Sequence, residues 1–256
     1  MKSEILQTIE YSKNLIISPD MDGFVSAQLL NRANGSVVVG TYDKNILCLA
    51  DGIKPSECLF VDNDMNHPNA VSIGNHMRRI NDSMSKRSFN PNVSQGVVTY
   101  RDKFPFSTSH LIAFALEMDL SEEDMIRMAF ADSTLRNMTN YSDNMRNWST
   151  RIPHPATQYV INNTEEARQA DVNIRLKYLT QSFTSKRYGK GRYLDSLNKA
   201  LKAESMAFKP LVHGKKYLAD KVGLGTLTRH GSDIISYAEI FAGEYSVTYK
   251  KEVDWL

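Results

Sequence analysis

Asp20 and Asp22 stand one residue apart in LIISPDMDGFVSAQLL (15–30), and Asp62 closes the apolar run CLFVD. A further carboxylate, Asp132, follows the apolar stretch MIRMAFA and precedes the hydroxyls of Ser133 and Thr134. Neighbouring carboxylates repel one another unless water, a cation or a hydrogen-bond donor compensates them. Four of them brought together would hold two hard divalent cations about 3.5–4 Å apart, enough to activate a water and neutralise a phosphoryl oxygen.

Convergence requires elements that carry these residues to one place. A first helix is expected at residues 3–13, then LIIS as a short buried strand and GFVSAQLLNRA as a helix with Val25, Leu29 and Leu30 at helical spacing. SVVVGTY (36–42), ECLFVD (57–62) and NAVSI (69–73) read as further buried strands. Apolar runs alternating with helices predict an α/β fold with a mostly parallel, doubly wound sheet and helices on both faces. Ligands of such sheets collect at the carboxyl ends of the strands. Asp20, Asp22 and Asp62 fall there, so the 42 positions between Asp20 and Asp62 are no obstacle to their meeting.

From Ser107 the pattern turns helical, in STSHLIAFALEM and then SEEDMIRMAFAD, where Ser121 and Asp124 have capping-box spacing. TNYSDNMRNW continues as helix, Pro153 and Pro155 punctuate the chain, and a polar helix is expected at 164–179. A linker at 180–191 divides a larger unit, 1–180, from a smaller basic α/β unit, 181–256, with a helix at 192–206 and strands near 210–218, 222–228 and 243–249.

The tetrapeptide DMDG supports three readings. It can be a plain Asp/Gly turn. A calcium loop fails on register, because with Gly23 sixth the twelfth residue is Leu29 where a bidentate Glu is needed. The third is a resemblance to haloacid dehalogenase-like phosphatases, with Asp20 as nucleophile, although Phe24 replaces the usual threonine and Pro19 interrupts the apolar lead-in.

The better resemblance is to the DHH phosphoesterase superfamily, which includes RecJ-type exonucleases and small oligonucleotide hydrolases. SPDMDGFVSAQLL resembles its first motif, LFVD its second, VSIGNHM its third and MAFADST its fourth, in the family's order across residues 14–150. KFPFSTSHLIAFAL resembles the helix that the family places between the third and fourth. The third motif departs from the family: the Asp-His-His positions read Gly74, Asn75 and His76. The ligand positions upstream of the first motif read Ile16 and Ser18, and the short gap after Asp62 suggests a lost helix.

The resemblance implies a metal-dependent phosphoesterase whose Mn2+ or Mg2+, one or two ions, is held by Asp20, Asp22, Asp62, Asn75 and Asp132. It assigns catalysis to Asp20, Asp22 and His76, with His76 also on the substrate side; Asp64 and His67, in VDNDMNHP, are possible substitutes for the missing ligands. Ser107 and Thr108, at a helix start, are candidates to receive phosphate as well as caps. In KRYGKGRY (186–193), Lys190 and Arg192 among the cations and the tyrosines among the aromatics suit backbone phosphates and stacked bases. The implied substrate is an anionic phosphodiester, a short or single-stranded nucleic acid. The alternatives are a catalytically impaired nucleic-acid or nucleotide-binding relative, or the dehalogenase-type phosphatase.

Composition sets the outer bounds. The 256 residues are 41% hydrophobic and 23% charged, enough to bury a core. The net charge of +2 conceals an asymmetry: 16 Lys/Arg against 20 Asp/Glu in residues 1–170, and 15 against 9 in 171–256. No run of eighteen apolar residues predicts a membrane span, and Glu4 and Glu10 argue against a secretory signal, so a cytoplasmic protein is expected. Cys48 and Cys58 are too few for a disulfide framework.

Overall fold

The structure, a computed structural model, describes residues 1–78, 84–162, 185–223 and 234–249. Helix α1 (Lys2–Ile9) leads into β1 (Asn14–Ile17), whose three apolar residues are all buried. The chain then turns into α2 (Met21–Asn34), where the Asp20 side chain caps the helix by accepting from the Gly23 N–H. This turn closes so tightly that a Cβ on Gly23 would meet the Ser18 carbonyl oxygen at 2.0 Å. Glycine is the residue that lets the helix start directly over the strand end.

Strand β2 (Val37–Tyr42) returns parallel to β1 and turns back into β3 (Ile46–Ala50), an antiparallel partner that sequence analysis does not anticipate. Strands β4 (Leu59–Val61) and β5 (Val71–Ile73) extend the sheet beyond β1 on its other side. With β6 (Leu211–Lys216) paired to β3, the six strands run β5-β4-β1-β2-β3-β6, and β5, β4, β1 and β2 are parallel. The order of strand addition therefore reverses at β1, with β2 on one side and β4 on the other, and such sheets open a crevice at that point.

Side chains alternate across the strands and divide the core in two. Leu15, Ile17, Val38, Leu59 and Val61 pack with Phe24, Leu29, Ile112, Met128 and Leu197 on a helical face. That face holds α2, α4 (Thr108–Leu116), α5 (Glu122–Phe130) and α9 (Ser185–Ala203), with α6 (Thr134–Asn140), α7 (Ser142–Arg151) and α8 (Pro155–Asn162) behind them. The capping box of Ser121 and Asp124 forms at the start of α5. A short helix, α3 (Pro91–Ser94), precedes α4.

Ile16, Val39, Leu47 and Phe60 point the other way, towards Met65, Ala70, Tyr217 and Ile235. Among the described residues this second cluster has no helical member, which corrects the expectation of helices on both faces. The reason is the connection from β4 to β5, which crosses in residues 62–70 with no helix, as the short gap after Asp62 suggests. A second sheet covers the face instead, antiparallel β7 (Leu218–Gly223), β9 (Glu244–Tyr249) and β8 (Ile234–Phe241) in that order. Strand β8 bonds to the crossover through Asn66 N–H and Ile235 O, and bridges Met65 to Ser236 and Met77 to Glu239.

The expected linker at 180–191 is helical from Ser185 onward. Gly189 and Gly191 weaken helix propensity, but buried Tyr193, Leu197 and Leu201 dock the helix on the core, and packing overrides propensity. Residues 180–184, the helix expected at 164–179 and residues 224–228 lie outside the described residues. Among the described residues no helix is long and apolar enough to cross a membrane.

Candidate metal centre

The carboxyl ends of β1 and β4 deliver Asp20 and Asp62 to the same crevice. Ser18, between the strand and the cap, has its hydroxyl 2.8 Å from Asp20 Oδ1 and also against Asp62 Oδ2. One hydroxyl hydrogen serves only one of these acceptors at a time. Asp62 further accepts from Thr108 Oγ1 at 3.1 Å, and its backbone is left-handed, with φ of 55°. Asp tolerates that region better than most residues, and strain of this kind gathers at functional sites.

Asp22 is buried and points at the start of α4, where Oδ2 accepts from Thr108 N–H at 2.6 Å and Oδ1 from Ser109 N–H at 2.9 Å. The free donors of that helix end are thereby taken by protein. Thr108, expected on the substrate side, has its hydroxyl on Asp62. Ser107, expected beside it, is fully buried, with its hydroxyl engaged by Ser109 and His110, so it has no surface for a substrate.

Asp132 sits in the one-turn helix Ala131–Ser133 after α5. Both Asp132 and Ser133 are left-handed, φ 49° and 58°, and the Asp132 side chain is exposed. Asn75 holds it: Nδ2 donates to Asp132 Oδ2 at 2.6 Å and to Phe106 O at 2.9 Å. Because both neighbours are acceptors, the amide must face them with its nitrogen, and Oδ1 is left buried with no partner. Asp62, His76 and Asp132 each offer a ligand atom, all within 4.8 Å of one another, so the group can hold a metal ion. Asp20 and Asp22 stand outside this triad but within electrostatic reach of it.

Without a cation the cluster is electrostatically unsatisfied. Burial, then Asp22, Asp132 and Asp20, push the Asp62 carboxyl well above the usual range. Burial and the Asp132 charge raise Asp20. Burial, Asp132 and Asp20 raise Asp22 to about 7, against the opposing hydrogen bonds from α4.

Asp64, two residues further on, is surrounded differently. Oδ2 accepts from the backbone N–H of His76 at 3.1 Å and lies 2.9 Å from its Nδ1, while Oδ1 accepts from Asn90 Nδ2 at 2.6 Å. Burial alone would raise this carboxyl, but the His76 hydrogen bond and charge, Arg78 and Asn90 together hold it below its usual value. His67 is turned to its own loop, where Nδ1 accepts from Asn69 N–H. His110 is a core residue whose burial lowers it to about 3, and is therefore neutral.

His76 and Asp132 of the triad open on a cleft of about 470 Å³. Asn75, His76 and Asp132 contribute to its lining, as do Tyr100, Lys103, Arg136 and Tyr141, with Glu239 and Ile240 from β8. Lys103 lies over the Tyr100 ring, and Tyr100 donates to Ile240 O. Arg136 is exposed and without an ion pair among the described residues. Sequence analysis singles out neither Arg136 nor Lys103, because isolated surface cations carry no spacing signal. Asn90 was equally hidden, although the Asn-Pro pair that starts α3 is a turn signal. Lys190 and Arg192 lie on α9 with side chains outside the described residues.

Comparison with protein-family models, with curated proteins and with solved structures finds no match to this chain. What the site does must follow from its own residues.

Proposed function

We propose that the protein is a divalent-metal-dependent phosphoesterase of the DHH type, acting on phosphodiester bonds of short or single-stranded nucleic acid with Mn2+ or Mg2+. The observation that carries this reading is the meeting of Asp20, Asp22, Asp62 and Asp132 with His76 at the switch point of the sheet, beside a cleft that also holds Arg136 and Lys103. The donor set is hard oxygen with one imidazole, which suits manganese or magnesium. Raised carboxyls and the orphaned Asn75 oxygen are what a cation would relieve.

Asp62, His76 and Asp132 would hold the ion, with Asp20 and Asp22 adding negative charge or a second set of ligands. A bound ion would supply Lewis acidity, lowering the pKa of water and neutralising charge on a phosphoryl oxygen. Arg136 and Lys103 would take the remaining phosphate oxygens, a part that sequence analysis gives to His76. Tyr100 and Tyr141 would offer ring faces to a base.

A second reading, binding without turnover, is favoured by one observation. Asn75 occupies the position of the family's histidine ligand and spends its amide hydrogens on Asp132 and Phe106, leaving the triad a single imidazole. Calorimetry with MnCl2 on the wild type and Asp62→Asn, beside hydrolysis of bis(p-nitrophenyl) phosphate, separates the two. Binding that weakens by more than about 100-fold in the variant, with turnover lost, is expected of the enzyme. Binding without turnover in the wild type would favour the second reading, and no binding at millimolar manganese would overturn the metal centre itself.

A further inference from the structure

Asp64 lies close to the centre yet is spent entirely on protein donors. Its Oδ2 faces the backbone N–H and Nδ1 of His76, and its Oδ1 faces Asn90. Asn90 binds both partners at once, since the same Nδ2 also donates to His76 O at 2.8 Å. The orientation of that amide is not in question, because its oxygen caps α3 by accepting from Asn92 and Val93 N–H at 2.8 and 3.2 Å.

Gly74 is what makes room for this carboxylate. A Cβ at position 74 would lie 2.5 Å from Asp64 Oδ2 and 2.7 Å from Oδ1, closer than real Cβ contacts come. The glycine has no left-handed backbone to account for it, so the close approach of Asp64 is its reason. Strand β8 secures both ends of the pair, since Met65 and Met77, the neighbours of Asp64 and His76, bridge to Ser236 and Glu239.

We propose that Asp64 is a positioning residue that holds His76 with its proton on Nδ1, so that the Nε2 lone pair is free to share a metal ion with Asp62 and Asp132, and that Gly74 exists to admit it. An imidazole whose Nδ1–H is held by a carboxylate has a defined tautomer, a fixed ring and a more basic free nitrogen. The role at the triad rests on the metal-centre reading, but the tautomer does not.

The test is the nitrogen-15 spectrum of metal-free protein labelled at histidine, recorded where the ring is neutral, with the His76 signals assigned by their loss in His76→Gln. The wild type is expected to show Nδ1–H alone. Asp64→Asn, which can turn an amide N–H towards Nδ1, is expected to shift His76 towards Nε2–H and to weaken manganese binding about 10–100-fold. Gly74→Ala removes no polar group but displaces the Asp64 carboxylate, and is expected to give the same change in smaller measure. An Nε2–H signal in the wild type, or an unchanged tautomer in folded Asp64→Asn, would overturn the proposal. Because the spectrum needs neither metal nor turnover, a protein that fails to hydrolyse phosphodiesters still decides it.

Discussion

Asp62 and Asp64 leave the same strand two residues apart and are 3% and 4% exposed, yet they live in opposite environments. Asp62 faces three other carboxylates with hydroxyls from Ser18 and Thr108 as donors, and its carboxyl is pushed up. Asp64 faces an imidazole, a guanidinium and an amide, and its carboxyl is held down. The difference teaches that depth does not decide what a buried carboxylate is for. The donors around it do: Asp64 is already satisfied by the protein, and Asp62 has its charge left over for something else.

Breaking each side of this comparison in metal-free protein should give changes of different sign and size. Asp64→Ala strips the acceptor from His76 and Asn90 and is expected to cost about 1–3 kcal/mol in urea unfolding, as for buried donors left without a partner. Asp62→Asn removes a repelled charge and should leave stability unchanged or raise it by about 1 kcal/mol. Equal losses in the two variants would erase the distinction drawn between them.

Acidity sharpens the same contrast. Asp20, Asp22 and Asp62 are all raised, so each keeps its proton in the folded state where the unfolded chain has released it, and for Asp22 that window runs from about pH 4 to about 7. Stability of the metal-free protein should therefore fall as pH rises through that window, each such group contributing a slope of up to about 1.4 kcal/mol per pH unit. Asp64 works in reverse, adding stability above the unfolded value near 4 that is lost as pH falls through its lower folded value. Excess manganese should flatten or invert the decline, because its ligands bind deprotonated. A metal-free protein whose denaturation midpoint rises steadily from pH 4 to 7 would contradict the crowding of carboxylates. The smallest effect belongs to the cleft: Arg136→Ala should stay within about 0.5 kcal/mol of wild-type stability and raise KM several-fold with kcat nearly unchanged.

Much of the helical half of the molecule was legible. Strands β1, β2, β4 and β5 are apolar runs, α2 begins at a cap with Gly23 behind it, and the capping box of α5 reads directly from Ser121 and Asp124. The β half was not. Strand β3 (ILCLA) is a short apolar run without alternation, and β8 (IISYAEIF) mixes helix and strand signals, so neither had a period to reveal it. The absent helix after Asp62 could be inferred from length alone, but not that a second sheet would cover the bared face.

By itself the sequence determined the acidic residues, the places of Asp20, Asp22 and Asp62 at strand ends and the order in which the four arrive, because local apolar runs and caps set those features. Tertiary structure decided the assignment of roles. Only packing brings Asn75 against Asp132 from 57 positions away and seats the Asp64 carboxylate where a side chain on residue 74 would stand. The physical reason is that a carboxylate's chemistry depends on the charges and donors within a few ångströms of it, and those come from segments distant in the chain.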